Sequence, residues 1–304
     1  MRLSLKTAAP ALVLSFLLSG CSSQPPEAVE GVSVAPDGGW MPLFNGQDLA
    51  GWETYLGPRL DASLEKIPGS VIGLNQDPDG VFTVTQLDGG PVIRISGVIG
   101  GGINTVQEYE NYHLRVQVKW GEGNPWNRET PDSGILYHAG GAQGADADYW
   151  MRSFEYQVMP ERHGDYIAIM GTVGDIPSAP PAEEGQRYSY DPNGELRPFT
   201  RVSELTQYGG AVNRLPSFKD PASDWITLEV YAVGTTAVHV IDGQVVLAVY
   251  NTRLHENGVT NPLTKGKIQI QSEGSEVFYR NFELRQISEL PAGLIDQPAP
   301  TSAQ

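Results

Sequence analysis

Between Ser153 and Met159 the chain reads Ser-Phe-Glu-Tyr-Gln-Val-Met. On a β-strand this order sends Phe154, Tyr156 and Val158 to one side and Glu155 and Gln157 to the other. The rise per residue then sets Glu155 and Gln157 about 6.5–7 Å apart, a spacing that lets both reach a single sugar-sized ring. Upstream, Ile135-Leu136-Tyr137 ends in His138, and downstream Gly164-Asp165 precedes another short apolar run. Were these three segments adjacent strands, His138, Glu155, Gln157 and Asp165 would share one surface. Arg152 would sit at its margin, and Trp150 could offer an indole face for stacking. A carboxylate beside an imidazole is equipped for general acid–base work. The same pattern also describes an ordinary solvated strand face, and both readings stay open at this point.

Other chemistries find less support. There is no His-x-x-x-His and no cysteine pair, which disfavours a catalytic transition metal at His138, Glu155 and Asp165. Serine hydrolases of the Gly-x-Ser-x-Gly type are disfavoured for want of that motif, and Gly100-Gly101-Gly102 reads as a bend entering a strand. A retaining glucanase wants two carboxylates on one strand face, but Gln157 is an amide and Glu161 lies beyond Pro160. His113, His239 and His255 show no partner and read as surface or satisfied strand positions, while Trp120 and Trp225 read as core. No metal site and no cofactor are expected, with a structural calcium ion left open. The 36 Asp and Glu against 20 Lys and Arg argue against a nucleic-acid partner.

The elements that must hold these residues are strands. Tyr112, Leu114, Val116, Val118 and Trp120 alternate with polar residues, as do Ile226, Leu228 and Val230. Asp242-Gly243 between two apolar runs predicts a tight hairpin. Further strands are predicted at Val81–Gln86, Val92–Ser96, Gly134–His138, Ser153–Met159, Tyr166–Met170, Lys267–Gln271 and Val277–Ile287. With 35 Gly and 23 Pro punctuating the chain and hardly a helical period in it, the expectation is all-β. So many half-buried strands must stack as two sheets or close into a barrel, and the sandwich is preferred. The proline-rich stretch Gly174–Phe218 breaks the pattern and reads as a long ordered loop inserted near the site.

The N-terminus has a different character. Arg2 and Lys6 precede the apolar run Ala8–Leu18, which is too short to span a bilayer, and Leu18-Ser19-Gly20-Cys21 follows. This resembles a bacterial lipoprotein signal, with residues 1–20 as leader and Cys21 as the lipidated residue. That implies a membrane partner through the lipid and a place in the cell envelope. Residues 21–39 read as a tether, 40–287 as the folded domain and 288–304 as a flexible tail.

Five motifs occur in order along the domain. They are Leu43-Phe44-Asn45-Gly46-Gln47-Asp48-Leu49 with Gly51-Trp52, then Asp132-Ser133-Gly134-Ile135, then Phe154-Glu155-Tyr156-Gln157. Asp224-Trp225-Ile226-Thr227-Leu228-Glu229-Val230 comes next, and the last is Gly266 to Gly274 with Phe278-Tyr279-Arg280-Asn281. Together they resemble the 3-keto-disaccharide hydrolase family from about Trp40 to Ile287. The resemblance implies a concanavalin A-like jelly-roll sandwich acting on glycosides whose glucose C3 is a ketone. An upstream glucoside 3-dehydrogenase would supply that ketone. Where the family usually has Asn before Ser-Gly this chain has Asp132, which puts a negative charge beside the ligand site.

A C3 ketone acidifies the C2 hydrogen, so a base that removes it allows the C1 substituent to leave before water adds. The expected roles are Glu155 as base and His138 as acid or enolate donor. Gln157 and Arg152 would position the sugar or serve as oxyanion donors, with Asp165, Trp150 and Asp132 also in contact with it. The competing class is a lectin-like binding module that presents the same face without chemistry, a choice that fold alone cannot make.

Overall fold

The computed structural model describes residues 38–295. Cys21, the leader and the tether before residue 38 lie outside the described residues, as does the tail beyond 295. Among the described residues there is no helix, and 21 strands form one hydrogen-bonded network folded into two layers.

The first layer is an antiparallel sheet running Phe82–Leu87, Gly90–Ile95, Val277–Gln286, Tyr112–Trp120, Ile226–Val233, Thr236–Ile241 and the first part of Gln244–Glu256. The Tyr112–Trp120 strand is where its alternation predicts it. Asp242 and Gly243, with φ of 44° and 80°, close the hairpin, the left-handed geometry that matches strand twist. The second layer runs Trp52–Leu56, Gly101–Thr105, Lys265–Ser272, Ser133–Gly140, Arg152–Val158 and Tyr166–Ile169, and continues through the short strand Ala211–Asn213. The long strand Gln244–Glu256 pairs in both sheets and stitches them together. Leu114, Val116 and Val118 of the first sheet meet Ile135, Tyr137, Phe154 and Tyr156 of the second in one core. Each large side chain so buried contributes about 1.5–3 kcal/mol.

Three expectations change. Gly174–Phe218 is not a loop: within or across its ends lie the strands Thr172–Ala179, Tyr188–Tyr190, Glu195–Phe199 and Ala211–Asn213, all in the second layer. Its prolines hide the pattern because Pro177 and Pro198 sit inside strands. The first residues of the tail do not wander, since Leu290, Leu294 and Ile295 pack on Tyr231, Val238 and Val240 of the first sheet's outer face. Trp225 is a half-buried surface residue rather than core, stacked 3.9 Å from the Arg280 guanidinium with its indole N–H donated to Asp88.

Candidate functional site

The Arg152–Val158 strand pairs Glu155 with Leu136 on one side and Ile167 on the other, and Gln157 with Gly134. Residues directly opposite in antiparallel strands share a face, so these side chains line the outer face of the second sheet. Across the adjoining Lys265–Ser272 strand, pairing brings Gln269 to Leu136 and places Gln271 beside Gly134. This face is not solvated: Glu155 and Gln157 are each only 4% exposed. The segment from residue 141 to 151 folds over it, and Tyr149 and Trp150 form a second apolar cluster with Leu136 and Ile169, edged by Trp126 and Ile167.

Several bonds hold that cover. Trp150 donates its indole N–H to the Gly101 carbonyl (3.0 Å), and the Met151 amide donates to Gln269 Oε1 (3.0 Å). At its rim, Lys66 pairs with Asp148 (3.0 Å) and Arg201 with both oxygens of Asp146 (3.1 Å). The run Gly100-Gly101-Gly102 enters the strand Gly101–Thr105, as expected, and its lack of side chains also serves the packing above it. A Cβ on Gly100 would stand 2.7 Å from the Tyr149 ring, and one on Gly102 the same distance from Gln269, so missing side chains make room for the cover and the sheet floor.

Around Glu155 gather residues from distant parts of the chain. Gln157 donates to Asp132 (2.5 Å), Arg128 pairs with Asp132 (3.0 Å) and Arg128 also pairs with Glu273 (2.6 Å). The Glu155 carboxyl makes no hydrogen bond among the described residues. Burial first, then the charges of Glu273 and Asp132, push its carboxyl well above the usual range, with Arg201 pulling weakly the other way. Burial likewise raises Glu273 and Asp132, outweighing the Arg128 that bridges them. Three acids share one arginine and each is raised above the ordinary carboxyl range, an arrangement suited to proton transfer.

Of the residues predicted from sequence, Glu155, Gln157, Asp132 and Trp150 come together here. His138 does not. Its strand carries an extra residue opposite Ser153, and the bulge gives His138 a φ of +52°. The ring turns inward between Tyr112, Tyr137 and Phe154 and is 1% exposed. Burial drops its pKa to about 3, so it is a neutral core residue on the wrong side of the sheet to serve Glu155. Arg152 also fails to join: strand alternation gives it the side of Phe154, where it lies over Gly140 and Gly141 with no ion pair among the described residues. Asp165 is beside Gln157 in the fold, but its carboxylate is taken by Arg162 Nε (2.9 Å) and the Arg214 amide (2.8 Å). His113 finds a partner after all in Glu229 (2.6 Å), far from the site.

Arg128 and Glu273 were missed as site residues. Glu273 stands in the Gly266–Gly274 motif, the one signal that pointed to it, whereas Arg128 lies in an irregular stretch with no pattern. Among the described residues no three His, Cys, Asp or Glu side chains are placed to hold a metal ion.

A family profile for the 3-keto-alpha-glucoside-1,2-lyase-like domain matches residues 39–285. Two candidate glycosyl hydrolases of Parabacteroides distasonis are similar in structure. One has a TM-score of 0.45 at 18% identity, covering 82% of this chain and 94% of its own. The other has 0.43 at 17%, covering 82% and 100%. A carbohydrate-binding module of Bacillus subtilis gives 0.37 at 10%, covering 67% and 92%. No curated protein matches the chain.

Proposed function

Because the chain belongs to the 3-keto-alpha-glucoside-1,2-lyase-like domain family and is a carbohydrate-active protein, we propose that it cleaves glycosides oxidised at C3, with Glu155 as the base at C2. The observation that carries the reading is a carboxyl 4% exposed, free of hydrogen bonds and facing other acids. A carboxylate with a raised pKa is a stronger base once ionised than one held by donors. Removal of the C2 proton leaves an enolate conjugated with the C3 oxygen, and the C1–O bond breaks as the electron pair moves out. The leaving oxygen takes a proton from Glu273, which burial keeps protonated beyond the ordinary carboxyl range and whose side chain is more open to solvent, at 16%. Arg128 and Gln157 hold Glu273 and Asp132 in register.

The ketone must come from an oxidation at C3 by a separate dehydrogenase, and lipidation at Cys21 would keep the enzyme at the envelope. Incubating the protein with a 3-keto-disaccharide should release monosaccharide, and Glu155→Gln should stop release while the far-UV spectrum stays unchanged. Turnover retained in that variant would remove Glu155 from the mechanism. Binding of the sugar without release by the wild type would make the protein a binding module.

A further inference from the structure

Gln271 is the most isolated polar side chain near the site. It is 0% exposed, and neither its Oε1 nor its Nε2 has a hydrogen-bond partner among the described residues. A buried carboxamide in that state costs stability, because its donors and acceptor lose water and gain nothing. Its direction is fixed by Gly134. A Cβ there would lie 2.5 Å from Gln271 Oε1 and 2.8 Å from Glu155 Oε1, so the amide and the carboxyl converge over the same bare glycine. The neighbouring Gln269 differs in its bonding. Its amide accepts from the Met151 N–H and donates to Gln143, as an ordinary structural glutamine does.

We infer that Gln271 is a substrate-contacting residue, donating from Nε2 to the C3 carbonyl oxygen and accepting at Oε1 from the adjacent hydroxyl of the sugar. This rests on the proposed reading of the site and adds a recognition element to it. Carbons 2 and 3 are bonded neighbours. A sugar edge lying across Gly134 therefore meets Glu155 at C2 and Gln271 at C3 together. The N–H bond strengthens as charge moves onto the C3 oxygen, which makes Gln271 a donor to the developing enolate. Gly134 is then a requirement of the site, since a Cβ there would collide with the Gln271 amide and the Glu155 carboxyl and push both out of place.

The test compares Gln271→Leu and Gln271→Glu with the wild type and Glu155→Gln on a 3-keto-glucoside, recording kcat, KM and Tm. Loss of one oxyanion donor lowers kcat by about 10²–10³-fold. Removing an orphaned amide should raise the Tm of Gln271→Leu by a few degrees, roughly what relief of a buried unsatisfied group gives in a domain this size. A merely structural glutamine would lose stability and activity together, and that result overturns the inference. So does a Gln271→Leu variant with wild-type kcat and KM while Glu155→Gln is dead, which leaves the reading of Glu155 intact. A wild type with no turnover overturns both.

Discussion

The Arg152–Val158 strand shows two ways of burying ionisable groups. Toward the core, the neighbouring strand's His138 sits among Tyr112, Tyr137 and Phe154, and His239 nearby bonds the Gly164 carbonyl (2.8 Å) and the Tyr137 hydroxyl (3.1 Å). Both histidines are held neutral, and neither faces a carboxylate. Toward the outside, Glu155 lies equally deep but among acids, with its carboxyl and the Gln271 amide both unbonded. Depth is therefore the same on both faces, and what separates them is chemistry. The core uses aromatic packing to absorb neutral rings. Unpartnered polar atoms occur on both faces, His138 Nδ1 and the Tyr112 hydroxyl among them on the core side, but the outer face sets its unpartnered groups among like charges, the arrangement expected where a ligand completes the bonding.

The sharpest way to break this contrast is to compare Glu155→Ala with His138→Phe on a 3-keto-glucoside. The first should cost at least about 10³-fold in kcat/KM, the scale of losing a positioned base. The second should stay within about threefold, because a phenyl ring keeps the packing and no reacting atom is touched. Equal losses would mean that the interior and outer faces act as one unit.

Next in size is the pH dependence of stability, where the two faces carry opposite signs. His138 has a folded pKa of about 3 against an ordinary 6.5, so its contribution is complete above 6.5 and is lost as pH falls toward 3. That is about 4–5 kcal/mol at the acid end, and His138→Phe should flatten the acid limb of a denaturant-midpoint profile by a comparable amount. Glu155 is raised instead, so its protonated form stabilises the fold at low pH and the benefit fades as pH climbs above about 4.5. The stability gap between Glu155→Gln and the wild type should widen from pH 5 to pH 8. A gap independent of pH would show Glu155 to be solvated.

Much of the first sheet was legible because its signal is local. Tyr112–Trp120 alternates cleanly, and Asp242-Gly243 names its own turn. Glu155 and Gln157 were legible for the same reason. His138 was not, because a bulge depends on the partner strand's register and on a positive φ that a histidine does not announce. Nor was the pairing of Arg128 with Glu273, which are 145 residues apart and flank the paired strands Ser133–Gly140 and Lys265–Ser272. The prolines of Gly174–Phe218 mask strands that tertiary pairing creates, and Arg201 reaches the rim of the cover from that segment. Whether the polar face is solvated or covered stayed open in the sequence, since nothing local shows that Tyr149 and Trp150 fold back over it.

Asp132 offers a finer test within the acid cluster. Asp132→Asn keeps an acceptor for Gln157 and removes one of the charges that raise Glu155 and Glu273. Both groups should then titrate lower, moving the kcat/KM profile toward acid by up to about one unit, with the fold unaffected. An unshifted profile would show that Arg128 already neutralises Asp132 completely.

The smallest effect concerns the cover itself, which the core has no need of. Its two rim ion pairs, Lys66–Asp148 and Arg201–Asp146, involve side chains that are 39% and 49% exposed on the basic partners. Exposed pairs add little to stability, so a Lys66→Ala, Arg201→Ala double variant should shift Tm by no more than about 2–4 °C. Their weight falls instead on how tightly the segment closes over Glu155, so KM should change by a few-fold while kcat holds. Because salt screens exposed pairs, raising ionic strength should move the wild-type KM toward that of the double variant and leave the variant nearly insensitive. A Tm loss of ten degrees or more would instead make residues 141–151 part of the permanent packing, and the outer face would then be as fixed as the core behind it.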